Sequence, residues 1–492
     1  MADIARLDNA IGWVHFRLGG GWKNIISTTV GGLVLVIGLI AASLRIDPTS
    51  PTGILSGWTH ALLGVQAGVL ILLGCSAVRR AVRKDITTGM IESHRLMPVS
   101  GTTAIGGYVL GPTRQAMVLS VAALLVGSVT AMSSGIALEN WLLANAVLAS
   151  FAVCTWIVAA FVALKTRGGT GIFVLLVVFA VLGQGIILAL LPGLTLPISP
   201  IVGASILSFL SPGAAWGPAY QTSFFAHVGL AILCYVGATR RYRRDDLLSF
   251  GPLGGLALAA AWAALSVAAI DNWEAVRPRW MDTSRLDSST QLVSSLLMAM
   301  LVAIVPIHAA TWIEVQWHRR QRLDDPHLGR RPIRSIPVVL AAAAICLLLP
   351  AVVAPTRALT SDSLARTAVV LVAFLFSVSY LLRISYRGKA RATVILGIWI
   401  FLTWLGPWLI ELVRFGMLGL DEDELLTSPI VGCSPVGTLT HIWVNGDLST
   451  NLGLAVQLLL AAAPAILFYA LPRRFHGERG SGVRPSAPAA SP

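Results

Sequence analysis

The chain has 492 residues, of which 55% are hydrophobic and only 12% are charged, and its mean hydropathy is +0.77. A soluble domain of this length could not bury so much apolar surface behind so few charges, so the composition predicts an integral membrane protein. The net charge of +13 does not indicate binding to nucleic acid. The basic residues lie in short loops between apolar segments, where they act as topology signals.

The N-terminal segment, residues 1–25, mixes aromatic and basic side chains ahead of the first long apolar stretch. Trp13, Phe16 and Trp22 lie among arginines and a lysine, which is typical of an amphipathic helix at a membrane interface. The alternative is a loosely ordered cytoplasmic tail, because Gly19-Gly20-Gly21 would interrupt such a helix.

Twelve apolar segments approach or exceed the roughly 20 residues that a helix needs to cross a bilayer. The sequence therefore predicts an all-α polytopic membrane protein with about twelve transmembrane helices. The predicted crossings are residues 26–44, 57–78, 103–133, 138–164, 169–191, 216–238, 251–271, 289–312, 335–355, 364–382, 392–413 and 452–472.

The distribution of Lys and Arg predicts the orientation of these crossings. Most of the basic residues fall in alternate loops, which belong to the cytoplasmic side under the positive-inside rule. We therefore expect a multi-pass protein of the plasma (inner) membrane with both termini in the cytoplasm. The C-terminal tail, residues 475–492, is rich in Pro, Ala, Ser and Gly and is expected to be disordered.

An internal repeat divides the chain into two halves. The pentapeptide Ser199-Pro200-Ile201-Val202-Gly203 recurs as Ser428-Pro429-Ile430-Val431-Gly432, 229 residues later. Shifting the first six crossings by this interval brings each close to one of the second six. The sequence therefore predicts two six-helix units, residues 26–247 and 248–474, which share one orientation because six is an even number.

The connector between the second and third crossings, residues 79–100, is strongly polar and reads RRAVRKDITTGMIESHRLMPVS. Residues 85–96 contain one glycine and no proline, which predicts a short surface helix that ends before Pro98. On that helix Ile86, Met90 and Met97 would lie near one face.

Part of this connector resembles a known family. The run Gly89-x-Ile91-Glu92, followed by Leu96-x-Pro98-Val99-Ser100, resembles the connector of ABC-2 type transporter permeases. There a Gly-Thr-Leu-Glu, then leucines, then Thr-Pro-Leu-Ser precede the third membrane helix, and Gly107-Tyr108 stands where Gly-Lys often occurs. A typical member has one six-helix unit and works as a dimer, so this chain looks like both units fused.

The resemblance implies that the connector is a cytoplasmic coupling helix that docks on a separate ATPase subunit. Glu92 and Arg95 are candidate polar contacts, and Met90 and Ile91 are candidate apolar ones. The full set of implied coupling residues is Arg83, Lys84, Gly89, Met90, Ile91, Glu92, Arg95 and Pro98.

Two ATPase subunits are expected, one for each half. The second connector contains Arg331-Pro332-Ile333-Arg334-Ser335 but lacks the Gly-x-x-Glu part, so the two contacts would be unequal. The resemblance also implies short re-entrant helices in the outer loops, residues 191–218 and 416–450. The alternative there is an ordinary surface loop.

Several kinds of chemistry are missing from the sequence. No Gly-x-x-x-x-Gly-Lys-Ser/Thr motif is present, so ATP would be bound by the partner and not by this chain. No catalytic triad pattern, cofactor motif or metal-binding spacing occurs, and the five cysteines form no CxxC pair. Glu139 and Glu411 are placed at the outer ends of crossings, which weakens the case for an ion-driven carrier.

The sequence thus predicts a membrane-spanning permease subunit of an ABC exporter, without enzymatic activity of its own. Its partners would be the ATPase subunits and membrane lipids. The first alternative is a non-transporting membrane scaffold or assembly protein, and an ion-coupled secondary transporter is the second. The apolar crossings favour a lipid-like or amphipathic cargo, but the sequence does not identify it.

Overall fold

The computed structural model describes residues 10–97, 99–165, 218–243, 249–271, 288–321, 333–353, 360–387, 392–418, 428–443 and 451–470. Throughout these ranges the regular structure is helical. Eight of the helical segments are long and apolar enough to cross a bilayer. The predicted class, an all-α polytopic membrane protein, is confirmed at this level.

The first half of the chain begins with a short helix that precedes the long ones. A π-helical segment, Gly68–Leu73, joins α3 and α4 into one span of 37 residues, Pro51–Thr87. The helices are α1 (Ala10–Leu18), α2 (Gly21–Ile46), α3 (Pro51–Ala67), α4 (Gly74–Thr87), α5 (Met90–Leu96), α6 (Gly101–Ser133), α7 (Leu138–Lys165) and α8 (Pro218–Arg243).

The second half contains a similar series of long helices, with a second π-helical segment at Phe401–Leu405. Its helices are α9 (Pro252–Asp271), α10 (Ser288–Gln321), α11 (Ser335–Val353), α12 (Ser361–Arg387), α13 (Ala392–Ile400), α14 (Gly406–Leu418), α15 (Pro429–Gly432), α16 (Pro435–Trp443) and α17 (Asn451–Ala470).

The predicted crossings fall on these helices wherever the structure describes them. The eight spans coincide with eight of the predicted crossings. Four are the first four of the chain, and the other four are 289–312, 335–355, 364–382 and 452–472. Three further predictions, 216–238, 251–271 and 392–413, lie on α8, α9 and the α13–α14 pair. The predicted crossing at 169–191 lies outside the described residues.

The N-terminal segment forms a helix and then breaks where its glycines predict. α1 ends at Leu18, and Gly20 and Gly21 have φ angles of +97° and +60°. Residues other than glycine rarely adopt this left-handed conformation, so the two glycines allow the chain to turn between α1 and α2. One side of α1 is buried, with Ile11 and Phe16 against the bundle.

The buried apolar side chains of the described residues form two clusters that follow the division of the chain. The first cluster draws its members from Ile11 to Tyr242, and the second from Ala263 to Trp443. In the first, α4, α6 and α7 pack on one another and α8 packs on α7. In the second, α10, α11 and α12 pack on one another and α17 packs on α12.

Two short helices, α15 and α16, occupy the interior of the second half. Val431 and Leu439 are fully buried, and α16 packs against α10, α12 and α17. Trp443 Nε1 donates to Thr367 Oγ1 at 3.0 Å, and Gln457 Nε2 donates to the Cys433 carbonyl at 2.7 Å. Irregular backbone inside a bilayer needs such shielding by neighbouring helices.

The contact between these two short helices is close enough to require a glycine. A Cβ atom at Gly437 would overlap the Val431 carbonyl oxygen, whereas a Cβ at Gly397 on α13 would meet open space. We expect Gly437→Ala to lower the free energy of unfolding by about 2–3 kcal/mol, because the helix would have to move away. Thermal unfolding in detergent measures the effect. Gly397→Ala is the matched control, and an equal loss in both variants would contradict the packing argument.

Candidate functional site: the connector and its buried carboxylate

The connector continues α4 beyond the apolar span and then turns sharply into α5. Gly89, at the turn, has a φ angle of +73°. A Cβ atom at this position would meet no other atom within 4 Å, so the backbone angle, and not a lack of space, requires glycine. α5 covers Met90–Leu96, and Met97 is extended, as expected of a residue that precedes proline. The single helix predicted over 85–96 is therefore wrong, because Gly89 separates it into the end of α4 and the whole of α5.

α5 has an inner and an outer face. Ile91 and His94 are buried, and Ile91 belongs to the first core cluster. Met90, Glu92 and Leu96 are exposed, with Leu96 89% exposed. The outer face thus combines a carboxylate with two unpartnered apolar side chains.

The basic residues of the connector differ in their surroundings. Arg95 Nε donates to the Tyr242 carbonyl at 2.6 Å, its guanidinium lies 5.9 Å from the Tyr242 ring centroid, and its Nη1 donates to Glu92 at 2.7 Å. The two contacts with Tyr242 fasten α5 to the end of α8, whereas the bond to Glu92 lies within α5. Arg83 is partly buried and Lys84 is exposed, while the predicted site residue Pro98 lies outside the described residues.

Asp85 is a buried carboxylate at the centre of the connector. Tyr108 donates its hydroxyl proton to Asp85 Oδ2 at 2.7 Å, and His15 Nε2 lies 3.2 Å from the same oxygen. His94 Nδ1 lies 3.1 Å from the Tyr108 oxygen and 3.5 Å from Asp85 Oδ2. Since each of these side chains is at least nine-tenths buried, the four residues form one enclosed polar cluster, here called the Asp85 cluster.

The donors and acceptors of the Asp85 cluster match one another. An ionised carboxylate only accepts hydrogen bonds, so the Tyr108 proton goes to Asp85 and His94 must donate to the Tyr108 oxygen through Nδ1–H. His15 donates through Nε2–H. Both imidazoles can therefore be neutral, and the cluster then carries one negative charge.

The Asp85 cluster joins four helices. His15 comes from α1, Asp85 from α4, His94 from α5 and Tyr108 from α6. No set of three His, Cys, Asp or Glu residues in the described ranges is arranged to hold a metal ion. Because its contacts link α5 to α1, α4 and α6, the cluster is suited to fixing the position of α5 against the bundle.

Close backbone contact supports α1 beside the Asp85 cluster. A Cβ at Gly12 would lie 3.4 Å from the Gly107 Cα, and a Cβ at Gly111 would lie 2.5 Å from the Gly12 oxygen. Only a glycine at position 111 permits this approach. α1 therefore lies directly on α6, with His15 directed towards Asp85.

The sequence analysis did not single out Asp85, His15 or Tyr108 as site residues. A signal was present for Asp85, because Val78, Val82 and Asp85 recur at helical spacing and would share one buried face. No local signal exists for His15, which is 70 residues away from Asp85 in the chain.

A second, partly buried acid occupies a related place in the second half. Glu314, near the end of α10, follows Asp85 by 229 residues, the interval between the two Ser-Pro-Ile-Val-Gly copies. Its carboxylate accepts from Arg383 Nη2 at 3.0 and 3.1 Å and from the Ser335 backbone N–H at 3.0 Å. A guanidinium thus pairs with Glu314, whereas a phenol and two imidazoles surround Asp85.

The second pentapeptide copy begins α15. Ser428 Oγ accepts from the Ile430 N–H at 3.2 Å, Pro429 takes the first helical position, and Gly432 packs against His441. The predicted residues of the first copy, Ser199, Pro200 and Gly203, lie outside the described residues.

No protein-family model, curated protein or solved structure matches this chain.

Replacing Asp85 by alanine tests the anchoring role. The change leaves buried Tyr108 and His15 donors without their acceptor, which costs on the order of 3 kcal/mol. We expect amide hydrogen exchange in α1 and α5 to become more than about tenfold faster. Glu92→Ala, at an exposed position, is the control and should change exchange little. Unchanged protection of α1 in Asp85→Ala would show that the cluster does not hold it.

The docking of α1 should also depend on pH. Burial lowers the pKa of His15 below its ordinary value of 6.5, and the attraction of Asp85 opposes this only in part. The native contact therefore favours neutral His15, so its contribution is complete above pH 6.5 and is lost as the pH falls through the lowered native pKa. The protection factors of the α1 amides, measured by hydrogen exchange between pH 7.5 and 5, report the loss. His15→Gln should flatten the profile, and an equal slope in that variant would assign the effect to another group.

Proposed function

We propose that this protein is the membrane-spanning permease subunit of an ATP-binding cassette exporter. The observation that carries the proposal is the construction of α5. A helix of seven residues is set off from the second span by a left-handed glycine, held from within by the Asp85 cluster, and left exposed on its outer face. A short helix that is rigidly attached to the bundle can pass the motion of a docked protein to the spans.

The partner that fits this role is an ATPase. The sequence has no P-loop, so ATP would be bound and hydrolysed by separate subunits, two for each chain, and this chain would need no cofactor and act on no nucleic acid. Substrate would pass between the helices as the ATPases close and open.

The connector residues divide into two roles under this proposal. Met90, Glu92 and Lys84 are exposed and would contact the ATPase. Ile91 is buried and Arg95 is bound to the Tyr242 carbonyl, so these two would position α5 from behind. Arg83 and Gly89 belong to the same positioning group.

We also propose the finer architecture of twelve crossings in two parallel six-helix repeats. Two observations support it: the two core clusters, and the 229-residue interval that relates Asp85 to Glu314 as well as the two pentapeptides. In this arrangement both termini and the connector lie on the cytoplasmic side of the inner membrane, as the positive-inside rule favours.

An ion-coupled secondary transporter is the second candidate, and one observation favours it. Glu411, which was predicted to lie at the outer end of a crossing, is 1% exposed in α14. Ionisable groups inside a membrane are costly and are usually functional. A scaffold protein without transport activity is the third candidate, and it predicts no ATPase partner.

The outer face of α5 provides the test. The triple variant Met90→Ala/Glu92→Ala/Leu96→Ala should fold normally, because all three side chains are exposed, but lose a P-loop ATPase that co-purifies with the wild type from native membranes. ATP hydrolysis in the purified complex should fall by at least about tenfold.

The matched control is Leu138→Ala/Glu139→Ala, an exposed apolar and acidic pair at the start of α7. It should retain the ATPase. Absence of any P-loop ATPase from the wild-type complex, or its retention by the triple variant, would refute the coupling role.

A further inference from the structure

One buried carboxylate in the described part of the chain has an oxygen without a hydrogen-bond partner. Glu411 lies on α14 and is 1% exposed, and its Oε2 atom has no donor. The other two shielded acids have internal donors: Tyr108 and His15 lie at Asp85 Oδ2, and Arg383 reaches both oxygens of Glu314. Glu411 therefore differs from the acids that serve as internal anchors.

The existing partner of Glu411 satisfies only half of the carboxylate. Arg414 Nη1 lies 3.3 Å from Oε1, in a single contact, and the Arg414 side chain is 48% exposed. A pair built for stability would use both oxygens, as Arg383 does with Glu314. Leaving a buried charged oxygen unpaired is costly, so the arrangement suits a carboxylate that receives a donor from outside the chain.

A second unpartnered polar atom lies on a neighbouring helix. α14 packs against α15, whose last residue Gly432 lies against the ring of His441. His441 is 4% exposed, and its Nε2 has no partner. The residues around α15 thus offer two unfilled positions, a carboxylate oxygen and an imidazole nitrogen.

The outer surface of α14 indicates the route by which a ligand would arrive. Leu409, Ile410 and Val413 flank Glu411 and are 46–60% exposed, so the helix borders the lipid. A molecule that dissolves in the bilayer could reach Glu411 beside Arg414 without crossing the bundle. A carboxylate repels anions and attracts a positively charged hydrogen-bond donor.

We propose that Glu411 is the binding carboxylate for the ammonium headgroup of an amphipathic amine that enters from the bilayer. Its oxygen accepts from the ammonium, which displaces the Arg414 guanidinium towards the exterior. That this amine is the transported substrate rests on the proposed function, whereas its binding does not.

The test uses the purified full-length protein in lipid nanodiscs without any ATPase, so that its outcome is independent of the coupling role. The probe is tritiated dodecylamine, which is protonated at pH 7, and dodecanol serves as the uncharged competitor. Glu411→Gln should weaken dodecylamine binding at least about tenfold, because a charge-assisted hydrogen bond is lost. Glu139→Gln, an exposed acid at the start of α7, should bind as the wild type does.

Arg414→Gln separates ligand binding from a structural role of the ion pair, and it also decides the matter if Glu411→Gln fails to fold. The removal of the competing guanidinium should tighten dodecylamine binding by about threefold. Weaker binding in Arg414→Gln would show that the pair is structural and would overturn the proposal. Equal competition by dodecanol, or an equal loss in Glu139→Gln, would also overturn it.

Discussion

The position of the connector depends on one carboxylate oxygen that collects donors from several helices. A helix as short as α5 is not stable on its own in water, because too few hydrogen bonds follow the costly first turn. The geometry therefore has to come from tertiary contacts. Asp85 provides these tertiary contacts, because a buried acceptor without donors would cost several kcal/mol. The helices around it each contribute a side chain that lies close to its carboxylate.

Each half shields a carboxylate from solvent, and the groups that bind this carboxylate differ between the halves. Glu314 is paired with a guanidinium that stays charged at any physiological pH, and it also caps the start of α11 through the Ser335 N–H. Asp85 is held by a phenol and imidazoles, whose hydrogen bonds depend on protonation. If the halves descend from one six-helix unit, this difference is a place where they have diverged in mechanical behaviour and not in fold.

Much of the fold was predictable because long apolar segments in the sequence indicate membrane helices. Apolar runs of sufficient length predicted α2, α6 and α7 within a few residues, and Gly19-Gly20-Gly21 predicted the break after α1. The connector was harder. Residues 85–96 contain no proline and no glycine other than Gly89, and nothing local shows that the backbone there is left-handed.

The site was largely beyond sequence reasoning, because its members are distant in the chain. Asp85 and His15 are 70 residues apart, and Tyr108 lies on a third helix. The burial of Glu411 was likewise hidden, since its position near the end of an apolar run suggested contact with water. α14 packs against α15, and no periodicity in either segment indicates this contact.

The glycine contact between α1 and α6 has a consequence for biosynthesis. α1 precedes α6 in the chain, so its seat, made by Gly107 and Gly111, is synthesised about ninety residues after it. Until then the apolar side of α1 has no partner in the chain and must rest on the lipid headgroups. α1 can therefore reach its final place only after the third long span, α6, has been made.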